Sequence, residues 1–512
     1  MTQPPDATPW RRLDKRMLAV TPLSNVVRLL PVAVILLLTG RGDPVARLWV
    51  PLGIALVLVI GGVVRWRTTR YRITDERVEL HSGWLNRQRR SVPRDRIRTV
   101  DLTARLLHRV FGLSVVHVGA ASGSPLDSSG LVLDAVSKAE ADRLRRELLD
   151  RPRTDGVPQP DLPTTAPAPV EELARLQWSW LRFAPLTFSS IAGVGAVMAA
   201  VLNLFDNLGV DPRDVPSLDD AAQDLATAPI WVAVATVGAV LLVVAVAGAL
   251  LLFAERWYGY RLTREATAEL GGALRVRRGL LTRRSLSVAE RRLRGAEVVE
   301  PLLLRAGRGA QARALAAGLS RESQGGVLEP PAPRAETHRV AGLALREHPE
   351  LATLAPLRRH PRAALQRRLT RAVGPAAALV VLAFAAGAAV PLPWLGPASL
   401  VLLPTAVLLA LDRYRNLGHE LTVRHLVTRE GSVQRRTVAL QRTGVIGWTF
   451  RQSVFQRRAG LVELEAVTAA GAGGYRVLDV SAPDGVALAD ATVPGLLTPF
   501  RADLSRQDSR TA

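Results

Sequence analysis

Three times along this 512-residue chain a pair of apolar runs is followed by the same motif, and that pairing restricts the possible folds more than any other feature. In the first copy the motif opens Tyr71-Arg72-Ile73-Thr74, passes Gly83 and reaches Arg89-Arg90-Ser91-Val92. It continues through Ile97-Arg98-Thr99-Val100 to Phe111-Gly112-Leu113. The second copy reads Tyr260-Arg261-Leu262-Thr263, Gly279, Arg283-Arg284-Ser285-Leu286 and Val298-Val299, with Ala306-Gly307 in place of Phe-Gly. The third reads Glu420-Leu421-Thr422, Gly431, Arg435-Arg436-Thr437-Val438, Val445-Ile446 and Gly460-Leu461. A period this long marks repeated domains and not a solenoid of small units.

The apolar runs are Asn25–Gly40 with Leu48–Val64, Phe183–Phe205 with Pro229–Ala254, and Ala372–Val390 with Trp394–Leu411. A hydrocarbon core about 30 Å thick needs roughly 20 helical residues. The first pair barely meets that length; the others meet it, so six transmembrane helices in three hairpins are expected. Charge sets their orientation. The connection between the third and fourth runs carries Asp206, Asp211, Asp214, Asp219, Asp220 and Asp224 against Arg213 alone, while the arginine-dense stretches lie on the other face. The positive-inside rule then places both termini and all three repeat domains in the cytoplasm, in a multi-pass plasma-membrane protein.

Composition agrees: 48% hydrophobic residues coexist with a net charge of +22, a combination suited to a membrane protein with basic faces on one side. There is no cysteine, which excludes disulfides, thiol nucleophiles and thiolate metal sites.

Within the first repeat, period-two alternation at Ile73, Val78, Leu80, Val115, Val116 and Val118 predicts short strands. Ser137-Lys138-Ala139-Glu140 has the pattern of a capping box, and starts a helix that ends near Asp150 with Ala141, Leu144 and Leu148 on one side. The expected organisation is a basic segment with hairpin one (1–65), a β domain (66–152), a Pro-rich linker (153–182) and hairpin two (183–254). A second β domain (255–345), a basic connector (346–371), hairpin three (372–411), a third β domain (412–504) and a disordered tail (505–512) complete it.

The residues quoted above, each set just inside a transmembrane hairpin, resemble the bacterial PH-like domain membrane proteins of the YdbS/YdbT type, and three hairpin-plus-domain units resemble the longer, YdbT-like kind. The resemblance runs from about residue 10 to 504. It implies a membrane α + β protein in which each hairpin is followed by a small antiparallel PH-like β-barrel with a C-terminal helix. It brings no catalytic residue with it.

Known chemistries are missing from the sequence. No His-Glu-x-x-His, P-loop or Gly-x-Ser-x-Gly motif occurs, so no catalytic, cofactor-binding or metal-binding residue is named and no enzyme is expected. The expected spans hold almost no ionisable residues, unlike those of an ion-coupled transporter. What remains is arginine. Arg87, Arg89 and Arg90, with Arg283 and Arg284 and then Arg435 and Arg436, are candidates for contact with anionic lipid; topogenic charge on solvated strand faces is the other reading. Nucleic acid is not expected, since the basic segments carry few aromatics and no reader motif.

The function these features imply is a non-enzymatic membrane scaffold whose cytoplasmic domains meet the bilayer and a membrane-protein partner. A shorter PH-like domain membrane protein is one candidate partner, and cell-envelope stress or resistance one setting. A transporter or channel subunit is the alternative. Oligomeric state is left open.

Overall fold

The computed structural model describes residues 10–500 apart from 21–52, 121–130, 150–169, 188–219, 267–271, 318–325 and scattered positions among 19–96, 221–226 and 391. The chain divides into two compact units, residues 1–290 and 291–512. That division falls inside the second repeat, and the strand pairing gives the reason.

In unit one, β1 (Arg11–Arg12), β2 (Arg70–Ile73), β3 (Arg77–Ser82) and β4 (Gln88–Pro93) form one antiparallel sheet in chain order. The second sheet begins with β5 (Ile97–Ala104), β6 (Leu113–Ala120) and β7 (Leu131–Ser137) of the first repeat. It continues with β8 (Val170–Arg175), β9 (Arg261–Glu265), β10 (Ala273–Arg278) and β11 (Arg283–Ala289), in the order β7-β6-β5-β11-β10-β9-β8. The helices are α1 (Leu106–Val110), α2 (Lys138–Leu149) and α3 (Ile230–Trp257).

Unit two holds β12 (Leu293–Pro301), α4 (Leu302–Ala306), β13 (Gly309–Ala316), β14 (Ala332–Pro333) and α5 (Arg334–Leu345). Then come α6 (Arg362–Ala389), α7 (Leu395–Ser399) and α8 (Leu402–Arg415). The third repeat supplies β15 (Gly418–Leu421), β16 (His425–Glu430), β17 (Gln434–Gln441), β18 (Val445–Arg451), α9 (Val454–Arg458), β19 (Leu461–Thr468), β20 (Gly474–Ser481) and α10 (Ala482–Thr492). Its sheets are β14-β13-β12-β17-β16-β15 and β18-β19-β20.

Each repeat therefore supplies two groups of strands, and the second group of one repeat is extended by the first group of the next. β11 pairs with β5 and β17 with β12, both antiparallel. The register is the same at both junctions: Ser285 lies opposite Leu102, and Thr437 opposite Val298. Irregularities at Ile97/Thr99, Leu293/Gly295 and Val445/Gly447 align β5, β12 and β18 residue by residue. The sheets are thus open and run from one repeat into the next, so the 255–345 domain contributes strands to both units.

Local chemistry explains why the repeats share their turns. Gly83, Gly279 and Gly431 have φ of 100°, 108° and 101°. A Cβ at Gly279 would lie 2.0 Å from the Thr282 carbonyl oxygen, and one at Gly431 2.0 Å from that of Gln434, so only glycine fits. After α1, α4 and α9 the chain reverses at Gly112, Arg308 and Gly460, with φ of 69°, 59° and 64°. The second-repeat partner of Phe111-Gly112 is therefore Gly307-Arg308, one residue later than sequence spacing puts it.

The C-terminal helix of the first repeat starts as expected. The Glu140 N–H donates to Ser137 Oγ at 3.3 Å, and Ala141, Leu144 and Leu148 are buried. The unit-one core also takes in Leu13, Met17 and Val20, packed with Tyr71, Ile97 and Leu113. Burying an aliphatic side chain of this size contributes about 1.5–3 kcal/mol, so the segment holding Leu13, Met17 and Val20 is a structural part of the first domain.

Three described helices are long and apolar enough to cross a membrane: Ile230–Trp257, Arg362–Ala389 and Leu395–Arg415. The chain is a membrane α + β protein with antiparallel sheets. The runs 25–40 and 188–205, linker residues 153–169 and the tail beyond 504 lie outside the described residues; those described between 53 and 68 are mostly helical. Two expected boundaries move. Residues 170–186, placed in linker and the start of a span, form β8 and a 3-10 helix Trp178–Leu186, because Leu173, Ala174 and Trp180 find buried positions. The helix α6 begins at Arg362, inside the expected basic connector.

Chain segments on either side of each expected hairpin meet. β1 pairs with β2, β8 with β9, and Arg358 bridges to His419.

Candidate functional site

The arginine strands β11 and β17 are held against β5 and β12, and the side chains they present divide into two kinds. At the second junction the charge is consumed. Arg435 lies opposite Glu300 and donates to both its carboxylate oxygens, at 2.6 and 2.5 Å, and Glu300 is 1% exposed. Arg436 stands 3.8 Å from Glu297. At the first junction the carboxylate aligned with Glu297 is Asp101, opposite Leu286; burial pushes it upward, against the pull of His117 and Arg284. Ala104 takes the place of Glu300, so Arg283 faces no acid across the ladder and stays exposed.

That difference leaves a cationic cavity in unit one. It has a volume of about 740 Å³ and includes Arg109, Lys138, Arg261, Arg277, Arg283 and Arg284, with Asp142 the acid in its described lining. Tyr258 and Gly259, which follow α3 directly, also line it, so it opens at the end of a membrane helix. Arg275 at its wall is neutralised: it donates to Glu265 Oε1 at 2.9 Å and Ser285 Oγ at 2.9 Å. Arg145 donates to the other Glu265 oxygen at 2.7 Å. Burial alone would raise Glu265, but these two arginines outweigh it and hold the carboxyl below its ordinary range. Arg278 is pushed down to about 9, first by burial and then by Arg256 and Arg284 nearby. Arg278 remains charged at neutral pH, so the cavity wall carries buried positive charge, and an anion is the ligand whose charge would complement it.

Unit two has a second cavity of about 740 Å³ at the ends of α6 and α8. Arg371, Arg413, Arg436, Arg451 and Arg476 line it together with Glu430 and Glu463. It is closer to balance: Arg451 lies 3.4 Å from Glu465, and Arg476 3.5 Å from Glu463.

Of the seven arginines singled out from sequence, Arg283 and Arg284 line the first cavity and Arg436 the second. Arg435 is tied to Glu300, and Arg87, Arg89 and Arg90 stand exposed in and beside β4 and line neither cavity. Arg109, Lys138 and Arg261 were missed; their sequence signal is position, within a short apolar helix, directly after a strand, and a few residues beyond the long apolar helix α3. No group of three metal-ligating side chains occurs among the described residues. His360 and His419 meet at 3.1 Å, both buried, with burial lowering both and His419 reaching about 4.

The bacterial PH domain family model matches residues 21–152 and 376–492. The chain is 23% identical over 432 residues, 80% of its own length and 82% of the relative's, to the UPF0699 transmembrane protein YdbT of Bacillus subtilis (strain 168). No solved structure matches it.

Proposed function

We propose that this chain, a YdbT-like bacterial PH-domain membrane protein, is a non-enzymatic scaffold of the plasma membrane, anchored by six spans in three hairpins. Its three PH-like β domains lie on the cytoplasmic face, where the arginine cavity at the end of α3 holds anionic headgroups and the outer surfaces take a membrane-protein partner. The observation that carries the reading is the repeated junction. Within each unit, strands of two successive repeats are joined by the same strand pair in the same register, which suits a fixed domain junction better than one that must open and close. The meeting of segments on either side of each hairpin supports an even number of spans per unit. A basic residue close to an anionic surface contributes about 1 kcal/mol, so Arg277, Arg283 and Arg284 together give roughly 3 kcal/mol toward a headgroup.

Reporter fusions after residues 150 and 345 and at the C-terminus should signal cytoplasm, and an insertion near Asp214 the outside. An outside signal at 345 would sink the three-hairpin arrangement. Reconstituted protein should pass no solute; specific flux would favour the transporter reading.

A further inference from the structure

We propose that α1, α4 and α9, with the glycine turns beside two of them, are apolar feet that enter the bilayer where headgroups meet acyl chains. The proposal rests on the membrane placement of α3, α6 and α8 given above.

Each of these five-residue helices sits at the same point of its repeat, and each turns large apolar side chains outward. Leu106 and Val110 are 52% and 75% exposed, Leu302 and Leu303 40% and 46%, and Val454 and Phe455 63% and 75%. The adjoining turns add Leu280 and Leu281 in one unit and Val433 in the other, all exposed. An isolated exposed leucine needs no explanation, but the same exposure at the same position in three divergent repeats does.

Location names the occupant. At the first foot, the Leu280 N–H donates to the Glu255 carbonyl near the end of α3 at 2.8 Å, and Arg109 of α1 donates to the Leu280 carbonyl. At the second, Arg305 of α4 donates to both oxygens of Asp412 in α8 at 3.0 Å. Ser432 Oγ donates to the same carboxylate at 2.8 Å, and the Leu302 N–H donates to the Val433 carbonyl at 2.7 Å. At the third, Gln456 of α9 donates to Asp479 at 3.0 Å, and Asp479 also accepts from Arg368 of α6 at 2.9 Å and from Arg367. Glu255, Asp412 and Arg368 stand near where the apolar stretch of each span gives way to charge. All three feet are therefore fastened at the level where a helix leaves the hydrocarbon. Arg109, Arg305 and Arg457 on the same helices provide the basic flank such interfacial elements use.

The chain has no cysteine, so single labels can be placed in the full protein. Val110→Cys, Leu303→Cys and Phe455→Cys, each carrying an NBD fluorophore, would be reconstituted in phosphatidylcholine–phosphatidylglycerol nanodiscs. Leu382→Cys on α6 marks the hydrocarbon, and Val423→Cys serves as the aqueous control. Val423 is 85% exposed but lies beyond the other end of β16 from the Gly431 turn, roughly 20 Å away at about 3.3 Å per residue. The feet should lose fluorescence to doxyl-labelled lipid and resist an aqueous nickel chelate, with the reverse at Val423. Feet that behave like Val423 while Leu382 is quenched by lipid would overturn the proposal and leave the membrane spans standing. Failure of lipid to quench Leu382 would overturn both.

Discussion

Replacing Glu300 by glutamine tests whether a charged pair locks the β12–β17 junction. Glutamine keeps the shape of the side chain and removes its charge. In the native junction Glu300 is 1% exposed, accepts two hydrogen bonds from Arg435, and has Arg334 3.4 Å away. Removing one partner of a buried pair costs about 3–5 kcal/mol, because the remaining charge stays desolvated. The lower end applies, since Asn416 Oδ1 still accepts from Arg435 at 3.3 Å and Arg334 is 43% exposed. At about 1.4 kcal/mol per tenfold change, 3 kcal/mol corresponds to roughly 100-fold faster opening. Hydrogen exchange on the full chain in detergent should show that acceleration in 434–441 and 293–301, with the β19–β20 hairpin unchanged. Adding Arg435→Met should restore most of the protection, because an apolar side chain leaves no orphan charge. Exchange in β17 within about threefold of native, a difference worth less than 1 kcal/mol, would refute the reasoning.

Three further outcomes are expected. Gly431→Ala should destabilise unit two by more than about 1 kcal/mol in thermal unfolding, since φ is 101° and the new Cβ would lie 2.0 Å from the Gln434 carbonyl oxygen; an unchanged melting temperature would contradict the turn geometry. Glu329, raised from 4.5 to about 8 chiefly by burial, folds as the neutral acid, so its contribution to stability is full below 4.5 and is lost as pH rises to about 8. Glu329→Gln should flatten that alkaline loss, while the acid loss below 6.5 from His338, lowered to about 4 by burial, persists; denaturant midpoints across pH check both. Residues 66–152 alone lack Leu13, Met17, Val20 and the β11 strand, so the isolated piece should be less protected in β5 than the full chain, by hydrogen exchange.

Much of this was legible in the sequence because it depends on neighbours along the chain. Gly83, Gly279 and Gly431 mark turns, Ser137 and Glu140 mark a helix start, and uninterrupted apolar stretches mark α3 and α6. What escaped reading depends on distant partners. The Arg-Arg-[Ser/Thr]-[Val/Leu] step has the same spacing in all three repeats, yet nothing local tells that Arg435 is buried by Glu300 while Arg283 is left facing a cavity. The difference lies in one residue of the partner strand, glutamate against Ala104. Likewise β8 reads as linker, since a strand with Glu171 and Glu172 becomes a strand only beside Arg264, which pairs with Glu171 at 2.9 Å.

The pairing of β5 with β11 also orders events during synthesis. β5 leaves the ribosome with its outer edge bare, and the strand that covers it, starting at Arg283 opposite Ala104, is made only after α3. At about 5–20 residues per second, the roughly 180 intervening residues take on the order of 10–35 s. Throughout that wait the first domain carries an open strand edge, the template on which misassembly with another nascent chain begins. Closing that sheet is therefore timed by synthesis through α3, and a delay at that point would appear first as aggregation of the domain already made.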